Sequence, residues 1–252
     1  MSALRRLAAA HLLANALLLG CGYYWLGISE SRGSALAWSA LIGVLLIALA
    51  CSTYGATFAF FGAAERKRVF PAWKTAARNL LPIAAAVVAI AIGYWLLAEL
   101  QDYSSDPAFT VASFLTLRLR KPVRPASVLR VFNAALWIVR WVALPVALLP
   151  MLSAISTRGW RGFAAIGPGG GAGTRRWWYW FVAPLLLLAA AWAPLKVLGW
   201  TPRPESFGLQ VVSFVLRAAL AYLLFGGAWL ALAFATSAGK PRFTQSSTTA
   251  SP

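Results

Sequence analysis

Long, nearly unbroken apolar runs alternate with short polar segments along this chain. Six runs reach the roughly 20 residues that a bilayer-crossing helix needs: 7–28, 35–61, 79–98, 131–152, 177–198 and 208–235. In hydrocarbon only helices or closed barrels satisfy every backbone donor and acceptor. Barrel strands would alternate apolar and polar positions over about 10 residues. These runs do not alternate. The pattern therefore predicts an all-α, polytopic membrane protein with six transmembrane helices, residues 1–237 forming one domain.

The segments between the runs carry their own signals. Residues 99–130 open with acids and close on Leu-Arg-Leu-Arg-Lys-Pro-Val-Arg-Pro, with Pro107–Leu117 apolar in between. Eleven residues of helix cover only about 16 Å, too little to cross, so this stretch is expected to be interfacial or re-entrant on the outer face. Residues 167–174, Gly-Pro-Gly-Gly-Gly-Ala-Gly-Thr, have the glycines of a phosphate-binding loop but lack its lysine and its preceding strand, and they read as a linker. Residues 238–252 are small and polar and are expected to form a disordered cytoplasmic tail. Leu18-Leu19-Gly20-Cys21 resembles a lipoprotein cleavage box, but His11 and Asn15 interrupt the run and apolar sequence continues beyond Cys21, so the run reads as a retained span.

Charge sets the orientation. The net charge is +17, from 23 basic and 6 acidic residues, and mean hydropathy is +0.70. Such a balance suits nucleic-acid binding only where a water-facing basic patch exists. Here the basic residues flank apolar runs, which points instead to the lipid bilayer and its anionic lipids as partners and excludes nucleic acid. Thirteen basic residues fall at the N-terminus, the even-numbered gaps and the tail, against 8 in the odd-numbered gaps. Five of the six acids, Glu30, Glu99, Asp102, Asp106 and Glu205, share the less basic side. The bias predicts both termini in the cytoplasm of a cell inner membrane.

The residue inventory excludes most catalytic chemistry. His11 is the only histidine, and Cys21 and Cys51 fall at different depths, so no metal set and no disulfide is expected. No carboxylate lies within a run, which removes an intramembrane acid relay, and the topology keeps His11 from an acid for a Ser-His-Asp triad. No cofactor is implied. Two charges remain inside runs, Arg140 and Arg217. Each sits on a polar stripe at helical spacing: Arg130, Asn133, Trp137 and Arg140 on one, Ser206, Gln210, Ser213 and Arg217 on the other. Ionisable residues deep in a span mark functional sites, although such stripes also hold helices together. Arg140, Arg217, Asn133, Gln210, Ser213 and Arg130 are therefore the candidates for an anion or anionic lipid, with the two guanidinium groups sharing one site if their helices are adjacent.

Three functional classes are compatible with this reading. The first is a non-catalytic membrane component, a subunit or assembly factor with a membrane-protein partner. The second is a carrier or channel for an anion or anionic lipid. The third, ranked last, is a lipid-modifying enzyme using the outer acids.

Overall fold

The computed structural model describes residues 3–29, 31–63, 68–166, 177–202 and 206–237. Among these there is no strand, and six helices are long and apolar enough to cross a membrane. They are α1 (Ala3–Leu26), α2 (Gly33–Gly62), α4 (Leu80–Asp102), a composite formed by α6 (Pro125–Ile138), a π-turn (Val139–Ala143) and α7 (Leu144–Arg158), then α8 (Tyr179–Gly199) and α9 (Phe207–Ser237). Two shorter helices, α3 (Val69–Arg78) and α5 (Ser105–Leu119), complete the set, and a 3-10 turn, Gly159–Ile166, follows α7. The polytopic helical architecture expected from the apolar runs is thus present. The glycine-rich 167–174 segment and the 238–252 tail lie outside the described residues.

Helix α2 is the hub. It packs against α1, α3, α4, α7 and α9. Its small residues admit these neighbours: Gly55 faces the Ile83 and Ala76 side chains, and Trp25 of α1 lies 3.7 Å from where a Cβ on Gly43 would stand. The same indole donates to Ser39, at 2.9 Å from its carbonyl and 3.0 Å from its hydroxyl. Close approach through small residues is how helices associate where lipid removes the hydrophobic drive.

Packing is concentrated toward one end of the bundle, here called the N-terminal face. In α4 the buried residues are Pro82, Ile83 and Ala86, all in its first two turns. In α9 they begin only at Ala221, and in α1 they are Leu7, His11, Ala14 and Asn15. The three larger apolar clusters centre on Phe58 with Val146, Leu149, Tyr179 and Leu232, on Leu7 with Phe60 and Ala72, and on Cys51 with Ile83, Ala86 and Ile155. Beyond Val87 of α4, before Ala221 of α9 and in α6 apart from Val128, no side chain is fully buried.

At the N-terminal face, α3 lays Ala72 and Ala76 on α2 and exposes Phe70, Lys74 and Arg78. That division is the amphipathic pattern of an interfacial helix. Asn79 ends α3 and ties it to α7, donating from Nδ2 to the Ser156 carbonyl at 3.1 Å. Gly159, which closes α7 at φ +62, meets the same asparagine; a Cβ there would stand 2.8 Å from Asn79 Oδ1.

The opposite end carries α5, placed within the segment expected to be interfacial or re-entrant. It is a full helix of 15 residues, and it pairs with the first half of α6. Ala108, Ala112 and Val128 form its buried seam, and the Val123 N–H donates to Thr116 Oγ1 at 3.0 Å across the closing loop. The apolar run covers only Pro107–Leu117; Ser105 and Asp106 before it and Arg118 and Leu119 beyond it extend the helix.

Candidate functional site

Arg140 sits at a break that proline imposes. Pro145 has no N–H, and its ring crowds the carbonyl four residues back, so the regular ladder cannot pass it. The helix widens ahead of it into the π-turn Val139–Ala143, where the Leu144 N–H reaches back five residues to the Val139 carbonyl. In that register the Arg140 carbonyl would take its hydrogen from residue 145, which has none. Tyr94 of α4 supplies it, its hydroxyl donating to the Arg140 carbonyl at 2.8 Å. π-turns of this kind recur at functional sites.

The Arg140 side chain has no such partner. Its guanidinium carbon lies 5.9 Å from the Tyr94 ring centre and 5.4 Å from that of Trp141, within cation–π range. Its Nε is shielded and makes no hydrogen bond among the described residues. Asn133 Oδ1, two turns nearer the α5 end, is likewise shielded and unpartnered. Counting eight residues from Tyr94 to Asp102 places this level about 12 Å inside the end of α4. A charge in that position costs at least about 2.5–3.5 kcal/mol on insertion scales, and no acid among the described residues pairs with it.

Arg217 is different. Its Nε donates to the Ser213 carbonyl at 3.2 Å, and one terminal nitrogen donates to the carbonyls of Leu198, at 3.0 Å, and Trp200. Leu198 and Trp200 belong to the end of α8, where carbonyls have no helical partner and the dipole is negative. Arg217 is thus a cap supplied by α9 to α8, and these two helices form the most extensive pairing in the molecule.

The two arginines are not brought together. The π-turn packs against α8, while α9 packs against α8, α2, α7 and α1. Ser213 contributes its carbonyl to Arg217, Gln210 is exposed at the start of α9, and Arg130 is exposed with its Nε 3.4 Å from the Ala126 carbonyl. The stripe Arg130, Asn133, Arg140 remains one unit; Gln210, Ser213 and Arg217 form another with a separate task.

A second polar centre joins α1, α2 and α9. His11 and Asn15 are buried, at 2% and 5% exposure. Tyr54 donates to Asn15 Oδ1 at 2.7 Å, Asn15 Nδ2 to the His11 carbonyl at 2.8 Å, and the Tyr222 hydroxyl to the Leu12 carbonyl. Thr57 sends its only hydrogen to the Thr53 carbonyl, at 2.9 Å, so it must accept from His11 Nδ1 at 3.2 Å. A neutral His11 then presents a bare Nε2, which is buried without a partner, as is Trp229 Nε1. Tyr54 stands between the two rings, edge-on to both. A lone histidine within a span ordinarily packs on a neighbouring helix, and for His11 that neighbour is α2. The rest of the centre was readable only as spacing: Tyr54 and Thr57 stand at i,i+3, Tyr222 and Trp229 at i,i+7.

Comparison with protein-family models, curated proteins and solved structures finds no match for this chain. Its chemistry must be read from the residues themselves. Among the described residues no group of three or more His, Cys, Asp or Glu is placed to hold a metal ion, and both cysteines are free.

Proposed function

We propose that this chain is a non-catalytic membrane component, a subunit or assembly factor, whose partner completes the open half of its helix bundle. The observation that carries the proposal is the distribution of packing. The half near the N-terminal face is closed on itself, while at the other end α4, α6 and α9 leave their side chains unpacked on one another. Lipid can cover an apolar helix face. The hydrocarbon of lipid supplies no partner for the polar stripe of Arg130, Asn133 and Arg140 on one of those faces.

The α5–α6 hairpin continues the open half. Because Tyr94 is level with Arg140, the end of α4 at Asp102 is level with about Phe132. The turns of α6 before Phe132, with α5 against them, rise about 10 Å further. Phe109, Phe114, Leu117 and Val131 are exposed on this projection, and Arg118, Arg120, Lys121 and Arg124 cluster at its tip. The occupant that fits is a second membrane protein with an acidic surface just outside the bilayer, opposite in charge to this tip. We place the N-terminal face in the cytoplasm, on the distribution of basic residues, and the hairpin on the outer side.

The test is purification of the full chain from native membranes in a polymer that retains lipid, comparing the wild type with the Arg118→Glu, Arg120→Glu, Lys121→Glu, Arg124→Glu variant. A stoichiometric membrane partner held by the wild type, lost by the variant and weakened by salt is expected. A monodisperse wild-type chain carrying lipid alone would contradict the proposal.

A further inference from the structure

We infer that the face of α6 and the π-turn that carries Arg130, Asn133 and Arg140 binds a phosphate oxyanion, with Arg140 as its anchor. This does not depend on a protein partner; it follows from how Arg140 is left.

Three observations combine. The side chain is held but not satisfied. Tyr94 and Trp141 flank the guanidinium with their rings, and the Tyr94 hydroxyl is committed to the backbone carbonyl, so neither ring offers an acceptor for its hydrogens. Rings at this distance restrict the guanidinium while leaving its planar edge of N–H donors unspent. Among the described residues the charge is uncompensated: the nearest acids along α4 are Glu99 and Asp102, at its end and exposed, and no ion pair joins either to Arg140. Finally, a polar path leads in. Asn133 lies two turns above, and Arg130 lies one turn above that, near the level of the α4 end. These residues share one helix face that no neighbouring helix covers fully, since Asn133 and Arg140 are half-buried and Arg130 is exposed.

The chemistry selects the ligand class. A guanidinium edge matches two oxygens of a phosphate in a fork that a carbonyl cannot reproduce, and charge-assisted bonds at a half-buried side chain are the strong ones. Arg217 shows the contrast within the same chain. Its donors are spent on the α8 carbonyls, so it is excluded from the site. The phosphate can come from an anionic phospholipid whose headgroup descends the Arg130–Asn133 stripe, or from a soluble anion entering the open half. The oxyanion contact is the same in both.

The experiment separates the sources. The full chain is held in dodecyl maltoside, which carries no phosphate, alone or with phosphatidylglycerol as a minority lipid, and retained lipids are counted by native mass spectrometry. In the micelles without lipid, inorganic phosphate is titrated while tryptophan fluorescence is followed, because the guanidinium lies over the Trp141 ring. A lipid ligand predicts retained phosphatidylglycerol and no response to phosphate; a soluble anion predicts the reverse. In either case Arg140→Gln should weaken the response by about tenfold or more, the loss of one charge-assisted bond. Arg140→Lys, which keeps the charge without the fork, should fall between. A wild-type chain that neither enriches phosphatidylglycerol nor responds to phosphate overturns the inference, whatever the variants do. So does an unchanged response in a folded Arg140→Gln chain.

Discussion

Arg140 and Arg217 are both cations in apolar spans with polar neighbours at helical spacing. What separates them is which carbonyls each one meets. The end of α8 supplies carbonyls to Arg217, and that depends on α9 lying against α8, a tertiary contact. Arg217→Met should therefore lower stability in micelle-denaturant unfolding by about 1–2 kcal/mol, with Arg217→Lys recovering part of it. At Arg140 the backbone, not the side chain, is satisfied. Tyr94→Phe leaves that carbonyl without a donor and should cost about 1 kcal/mol in the same assay. Pro145→Ala restores the missing N–H, so the cost of Tyr94→Phe should shrink in the Pro145→Ala background. An unchanged cost in that double-mutant cycle would refute the link between the proline and the π-turn.

The spans were legible as elements because each is a continuous apolar run, and continuity is the one signal a bilayer demands of a helix. The shorter helices were not. In Val69–Arg78 the apolar side chains are interrupted by Lys74, and a reading by runs registers only its charges; its stripe of Ala72 and Ala76 has meaning once α2 is in place to receive it. The composite α6–α7 span exceeds the predicted 131–152 because residues 125–130 remain helical against α5, a tertiary contact invisible in hydropathy. The candidate stripe Arg130, Asn133, Arg140 was legible; the π-turn was not, because proline forces a break without specifying its form. The hairpin touches none of the three larger core clusters. Replacing residues 105–124 with a short flexible linker should therefore leave membrane insertion and the unfolding midpoint nearly unchanged. A large loss of stability would show that α5 supports the bundle itself.

Across the whole molecule, a closed half and an open half share one set of helices. The His11 centre stitches α1, α2 and α9 in the closed half, with two buried nitrogens left over; the Arg140 stripe and the basic hairpin belong to the open half. Orientation bears on which compartment the hairpin meets. The basic residues favour the N-terminal face inside, and a reporter joined after Pro252 should be active only if it works in the cytoplasm. Activity of a reporter that needs the opposite compartment would reverse the assignment. Whether a protein, rather than lipid alone, covers the open half is decided by a photo-crosslinking residue placed singly at Phe114 on the hairpin and at Phe70 on α3, followed by illumination of native membranes. A discrete protein adduct of fixed mass is expected from Phe114 and none from Phe70. Lipid adducts alone from Phe114, or the same adducts from both positions, would contradict coverage by a protein.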